Sequence, residues 1–235
     1  PAGADAAPDP DPGPDPTACN GLPALCDRRY DQVAYATTHN AMSNADEGWA
    51  APNQTSGIER QLDDGVRALM LDLWYGDGDA TDPATVYLCH SICAIGNRPL
   101  ADALAGIRAF LDAHPREVVS IVFESYVAAA DVAAVFGAAG LLPYLHAQVA
   151  GEPWPTLGAL VASGRRLVVF TDHDAGTPAW YHDVWAHAFE THWSAKTIDD
   201  FTCDPNRGDP SNALFILNHF LTDPLALPAL AAQAN

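Results

Sequence analysis

The sequence predicts an α/β chain organised as a (β/α)8 TIM-type barrel, and three observations lead there. Short apolar runs alternate with helical patterns, which is the sequence form of repeated βα units around a parallel sheet. Side chains with chemical capacity recur at the last residue of those runs or just after it, where the loops of a barrel converge on one rim. Neither GxGxxG nor GxxxxGKS/T occurs, so the nucleotide sites that an open doubly wound sheet would suggest have no support.

In chain order, residues 1–18 alternate Pro with Asp, Gly and Ala and read as a solvated linker, the exposed stalk left after processing of an upstream export signal. The domain spans 19–235. Its expected strands are Val33–Ala36, Ala68–Leu73, Thr85–Leu88, Val118–Phe123, Leu167–Phe170 and Leu214–Leu217, each brief and rich in Val, Leu, Ile or Phe. A seventh falls in Leu141–Val149 or Trp185–Trp193. Leu100, Leu104, Ile107 and Leu111 form one helical stripe, opened by Pro99 and closed by Pro115; Leu157, Leu160 and Val161 form another. Residues 19–235 are short of the roughly 250 of a typical barrel, so the expected barrel lacks its last βα element.

With 11 Lys+Arg against 30 Asp+Glu, the formal net charge is −19. That excludes a nucleic-acid binder, whose affinity rests on clustered cations. The most apolar stretch, Val127 to Val149, is broken by Asp131, Gly137, Gly140 and Pro143 and is not a membrane span. Cys19/Cys26 and Cys89/Cys93 are closely spaced without a CxxC pattern; they read as two local disulfides of an oxidising compartment, against the alternative of reduced, buried thiols. Cys203 is left over, either free or paired beyond Asn235. The expected location is secreted or cell-envelope, extracellular or periplasmic, with a lipoprotein anchor as one form.

Two of the nine histidines stand out by position: His39 in YATTHNAMS and His90 in VYLCHSIC, each at a strand end. A rim pair of imidazoles can serve as general base and general acid near neutral pH. Asn40, Asp72 and Glu124, also at strand ends, are hard oxygen donors suited to Ca²⁺ or Mg²⁺ and not to zinc. The competing reading is that Asp72 and Glu124 neutralise Arg67 or cap helices. Asp172, His173, Trp193, Asn218 and His219 are secondary rim candidates for substrate contact, Asp172 with helix capping as its alternative. His182, His187 and His192 read as solvated or structural, and Trp49, Trp154, Trp180 and Trp185 as packing residues.

THNAMS, GVRALMLDLW, YLCHS and VSIVFESY, in that order, resemble the successive strand ends of the phosphatidylinositol-specific phospholipase C X-domain superfamily, in its secreted PLC-like phosphodiesterase branch. The resemblance covers about Cys19 to Asn235. It implies a distorted barrel cleaving a glycerophospholipid on the diacylglycerol side of phosphorus and giving a cyclic inositol phosphate. His39 matches the general base and His90 the general acid. Asn40, Asp72 and Glu124 match calcium ligands, with Asp72 also part of the catalytic set. The implied partners are a phospholipid or other phosphodiester and a transiently visited membrane surface, the protein acting as a monomer.

This chain departs from the family pattern at three places. Met70 stands where the calcium-dependent enzymes carry a glutamate, and Trp74 where the calcium-independent ones carry an arginine, with Arg67 as the substitute cation on the same strand. VVFTDHD lacks the lysines that hold additional inositol phosphates, which favours a headgroup without them. The alternatives are a glycerophosphodiesterase or sphingomyelinase D-like enzyme on the same barrel, or a catalytically weak headgroup-binding surface protein.

Overall fold

The computed structural model describes residues 15–76, 83–223 and 228–234. In chain order the elements are β1 (Thr37–Thr38), α1 (Ile58–Asp63), β2 (Ala68–Tyr75), β3 (Val86–Leu88), β4 (Arg98–Pro99), α2 (Leu100–Ala113), β5 (Val119–Ser125), α3 (Ala129–Ala138), α4 (Leu157–Ser163), β6 (Leu167–Thr171), β7 (Tyr181–Asp183), α5 (Val184–His187), β8 (Ala188–Glu190), β9 (Leu214–Ile216) and α6 (Pro228–Ala234). β1, β2, β5, β6 and β7 run parallel as one sheet, extended by the antiparallel β3 and β4; β8 and β9 pair in parallel with each other. The result is an α/β fold with a mixed sheet flanked by helices.

The period of two decides which face each strand residue serves. Leu69, Leu71 and Leu73 of β2, Val119, Ile121 and Phe123 of β5, and Leu167 and Val169 of β6 pack in one core with Ile58 and Leu62 of α1, Leu104, Ile107 and Leu111 of α2 and Phe136 of α3. Burying each such side chain fully contributes about 1.5–3 kcal/mol. The alternate residues occupy the opposite face. There Met70 lies in register with Val122, and Val122 with Phe170, giving an apolar floor; one step further along, Asp72 is the register partner of Glu124. Beneath that floor the Tyr30 hydroxyl lies 2.6 Å from Ser120 Oγ, and Trp154 stacks on the Tyr30 ring at 4.5 Å.

α2 is the helix its stripe predicts, beginning directly after Pro99 and ending before Pro115. Buried Arg166 donates to the carbonyls of Leu111, His114 and Glu117, satisfying acceptors that the helix end leaves open. Thr156 caps α4 through Oγ1, which accepts from Ala159 N, and Gly164 closes it at φ 73°.

Several expectations are corrected. The first ladder is Thr37–Thr38, not Val33–Ala36; Ala36 O accepts from Arg67 N and Ala68 N just before pairing begins. The Thr85–Leu88 run becomes β3, an antiparallel partner of the end of β2 and not a parallel barrel strand. Antiparallel pairing needs only a short return, whereas a parallel one needs a crossover. Leu141–Val149 forms no strand: it contains the 3₁₀ turn Leu142–Tyr144 and one bridge from Leu145 to Leu167. Trp185–Trp193 does contain a strand, β8. α1 carries no long apolar stripe and was not expected. Of the expected linker, residues 1–14 lie outside the described residues. Ala18, in its last part, is buried and its carbonyl accepts from Arg116 Nε.

Both cysteine pairs are bonded, Cys19 to Cys26 and Cys89 to Cys93, and Cys203 is free and exposed. Among the described residues no helix is long and apolar enough to cross a membrane.

Candidate active site

His39 follows β1 directly, and its position depends on a glutamine of α1. Buried Gln61 accepts from Thr38 Oγ1 at 2.7 Å and donates to Ala41 O and Ser56 O at 2.8 and 2.7 Å, so the turn at 38–41 is tied from both ends. Gln54 Nε2 donates to His39 O at 2.7 Å, and the imidazole stacks on Phe220 at 4.3 Å. Burial, reinforced by the neighbouring His90, pushes the His39 pKa down to about 4, so the ring is neutral at physiological pH and can accept a proton. Asn40 sits at φ 49°, a left-handed conformation that asparagine tolerates better than most residues.

His90 reaches the same place by the hairpin route. Cys89 N donates to Asp72 O at 3.2 Å, and the Cys89–Cys93 bond closes the turn around His90. Gly96 lets the Trp49 indole lie flat against this loop, since a Cβ there would overlap the ring; Ala50 N also donates to Ile95 O. Asn40 Nδ2 lies 3.3 Å from His90 Nε2. With the amide nitrogen turned to the imidazole, the Asn40 oxygen is left for another ligand.

Across the cavity stand three carboxylates from adjacent strands. Asp72 is buried, and burial first, then repulsion by Glu124 and Asp172, raises its pKa to about 8. Glu124 accepts from Tyr126 OH at 2.6 Å, and that bond is the main cause of the Tyr126 pKa rising to about 12. Asp172 Oδ1 accepts from Ser125 N at 2.9 Å and lies 2.7 Å from His173 Nδ1. Trp74 stacks on Tyr126 at 4.0 Å, and His173 lies 6.3 Å from Tyr126 with the ring planes inclined by 28°, so an aromatic tier flanks the carboxylates.

His39, Asn40, Asp72, His90, Glu124, Asp172, His173, Trp193 and Asn218 therefore line a single cavity of about 460 Å³. Two candidates do not join it. Arg67 precedes β2 at the far end of the sheet. There it pairs with Glu117 at 2.6 Å, donates to Leu62 O and Val66 O, and lies over Phe110, so it cannot serve as the substitute cation. The same contacts remove the reading that Asp72 and Glu124 exist to neutralise it. His219 stacks on Phe201 and lines an adjoining cavity between β1 and β9, which shares His39, Met70, Val122 and Phe220 with the first. Asn218 is in the cavity wall but buried, donating to Glu190 Oε2 and Thr191 O. His182 and His187 are buried packing residues, not solvated ones.

Cavity residues that the sequence reading missed include Asn53, Tyr126, Glu190, Arg207 and Phe220. Tyr126 was within reach, because Val122, Glu124 and Tyr126 alternate on one face of β5 and its exit. Asn53 carries a buried Oδ1 without a hydrogen-bond partner among the described residues, a feature that only packing creates.

Residues 25–232 match the protein family described as PI-PLC X 1. The chain belongs to the PI-PLC X family. Within and around this family, it is 30% identical over 219 residues to "PI-PLC X domain-containing protein 1" of Arthroderma benhamiae, covering 86% of this chain and 68% of that protein. It is 29% identical to an "Uncharacterized secreted protein" of the same fungus, covering 86% of this chain and 48% of that one. It is 31% identical to "PI-PLC X domain-containing protein At5g67130" of Arabidopsis thaliana, covering 88% and 51%. The chain thus spans from about half to two thirds of the length of these relatives. Its fold is similar to that of the phosphatidylinositol-specific phospholipase C from Listeria monocytogenes, with a TM-score of 0.53 at 16% identity over 77% of this chain and 68% of that one.

Proposed function

We propose that this PI-PLC X chain cleaves the phosphodiester of a phosphatidylinositol-type lipid at an extracellular membrane surface. The observation that carries the reading is the pairing of a half-buried, neutral His39 with His90 in one cavity, next to the Asn40 amide and facing three carboxylates. His39 takes the proton from the inositol hydroxyl adjacent to the phosphorus. That oxygen attacks the phosphorus and closes a five-membered cyclic phosphate, while the bond to the diacylglycerol oxygen breaks. His90 supplies a proton to the departing oxygen, so one proton enters the enzyme and one leaves it. Tyr126 and His173, which both line the cavity, offer ring faces to the headgroup, and Trp74 stacks on Tyr126.

The donor set suits a hard divalent cation. Burial first, and then the nearby Glu124 and Asp172, disfavour the charged form of Asp72, which a Ca²⁺ or Mg²⁺ ion would relieve, and Asn53 Oδ1 is a buried acceptor without a partner among the described residues. Among the described residues no three acidic, imidazole or thiol side chains are gathered closely enough to enclose an ion, so amide oxygens would have to complete the shell. Asn40, Asp72, Glu124 and Asn53 would hold it. Bound there, the ion would acidify the attacking hydroxyl and stabilise charge on the phosphoryl oxygens.

Two disulfides and a secreted relative support the extracellular assignment. A headgroup-binding protein with little turnover is the second reading, favoured by the uncharged Met70 and Trp74 at positions where the family resemblance implies charge. The test is release of cyclic inositol phosphate from phosphatidylinositol vesicles, with Ca²⁺ or with a chelator. His39→Ala is expected to lower the rate about 10²–10⁴-fold. Turnover unaffected by that change would sink the acid–base assignment, and binding without turnover on any phosphodiester would establish the second reading.

A further inference from the structure

The cavity presents a charge problem. Asp72, Glu124, Asp172, Glu190 and Asp223 all line it, and a phosphodiester must enter as an anion. Among the described residues lining the cavity, Arg207 is the one lysine or arginine.

Arg207 is held in a built setting. It lies in the connection between β8 and β9, and its backbone is strapped to β8: Glu190 N donates to Arg207 O at 3.0 Å, and Asn206 N donates to Glu190 O at 2.8 Å. The next residue, Gly208, turns at φ 78° directly against the Ala188 carbonyl, where a Cβ would overlap. The guanidinium donates through Nε to Glu190 Oε1 at 2.5 Å and lies over the Trp185 ring at 4.3 Å. Glu190 is itself buried and accepts from Asn206 Nδ2 and Asn218 Nδ2, both at 3.0 Å.

This arrangement commits one edge of the guanidinium and leaves the other. Nη1 and Nη2 make no hydrogen bond among the described residues, and the side chain remains 46% exposed although its anchor is buried. Two parallel N–H donors at the end of a fixed plane match two non-bridging oxygens of a phosphoryl group. The buried carboxylate and the indole together remove the rotamer freedom that an exposed arginine would otherwise lose on binding.

We propose that Arg207, oriented by Glu190 and Trp185, is the fixed cation that binds the phosphate of the substrate in this cavity. It supplies from the β8–β9 connection a charge that Trp74 does not supply from β2. The inference rests on the phosphodiesterase reading for its catalytic consequence, but phosphate binding tests it separately.

The experiment uses the whole chain and inorganic phosphate as the probe, titrated by calorimetry at constant ionic strength in chelator, alongside the vesicle assay. Arg207→Met is expected to weaken phosphate binding at least about tenfold and to lower kcat/KM by about 10²–10³-fold, the range typical of losing one preorganised donor to a transition state. Arg207→Lys, keeping the charge without the fork, is expected to fall between. Because Arg207→Met strands the buried Glu190 carboxylate, the double variant Glu190→Gln/Arg207→Met serves if the single one does not fold.

Phosphate affinity within about threefold of wild type in either folded methionine variant overturns the proposal. Arg207-dependent phosphate binding by a wild-type protein that cleaves no phosphodiester upholds it while the hydrolytic reading falls. Cleavage of the lipid by the wild type and by Arg207→Met at equal rates overturns it while the hydrolytic reading stands. A wild type that neither binds phosphate nor turns over defeats both.

Discussion

Asp72 and Glu124 are register partners on β2 and β5, two carboxylates facing one cavity. The raised pKa of Asp72 sets the direction of a stability effect. Its folded value of about 8 lies above the ordinary 3.8, so the folded chain holds this proton more tightly than the unfolded one. That contribution is fully present at low pH and is lost as pH rises through about 8. In chelator, Asp72→Asn is therefore expected to melt above the wild type at pH 9, with the difference narrowing toward pH 4. Added Ca²⁺ should raise the wild-type melting temperature at neutral pH and leave Asp72→Asn nearly unmoved. Equal calcium responses in the two proteins would remove Asp72 from the ligand set.

The depressed pKa of His39 predicts an unusual acid limb. An ordinary imidazole base would lose activity below pH 6.5, whereas this one remains unprotonated until about pH 4. The profile of kcat/KM against pH should accordingly stay high through pH 5. An acid limb centred near 6.5 would mean that another group is the base.

Asn40 combines a backbone role with a side-chain role, and two substitutions separate them. Asn40→Gly keeps the left-handed turn and removes the amide beside His90, so activity should fall about tenfold or more with little loss of stability. Asn40→Ala removes the amide and strains the turn, adding a destabilisation of about 1–2 kcal/mol. Urea melts of the two variants check the difference; equal stability would show that the turn is not strained by alanine.

His182 predicts a second pH effect, of opposite sign to that of Asp72. It is buried, with Nδ1 2.8 Å from Val169 O and Nε2 accepting from Gln148 N at 2.8 Å, and burial pushes its pKa down to about 4. The unfolded chain binds this proton first as pH falls below 6.5. Stability is thus complete above about 6.5 and declines toward pH 4, by about 3 kcal/mol for this group alone. His182→Gln should be less stable than wild type at pH 7 and show a flatter decline between pH 6.5 and 4, measured by denaturant titration.

The parts of this architecture that local pattern controls were legible beforehand. β2, β5, β6 and α2 are long enough for periodicity to speak, and their observed bounds lie within a few residues of the expected ones. His39, Asn40, Asp72, His90, Glu124 and Asp172 are legible as one group because each ends or follows an apolar run, and all six line one cavity. β1, with two residues, and the antiparallel turn of β3 were not legible: their pairing depends on the neighbouring edge of β2, not on their own composition. Arg67 lies away from the cavity for a related reason. Being next to a strand says nothing of which end it occupies, and Arg67 enters β2 where the rim residues leave theirs.

The amino-acid sequence by itself determined the class of fold, the alternation that sends Asp72 and Glu124 to the same face, the cysteine pairs, and the family. Tertiary structure alone decided the electrostatics. Burial and mutual approach, across segments tens of residues apart, depress His39, raise Asp72 and leave Asn53 Oδ1 without a partner among the described residues. They also join Glu190 and Arg207 across the turn between β8 and β9. Spacing in the chain carries period and order, but the free energy of a charge depends on what surrounds it in three dimensions.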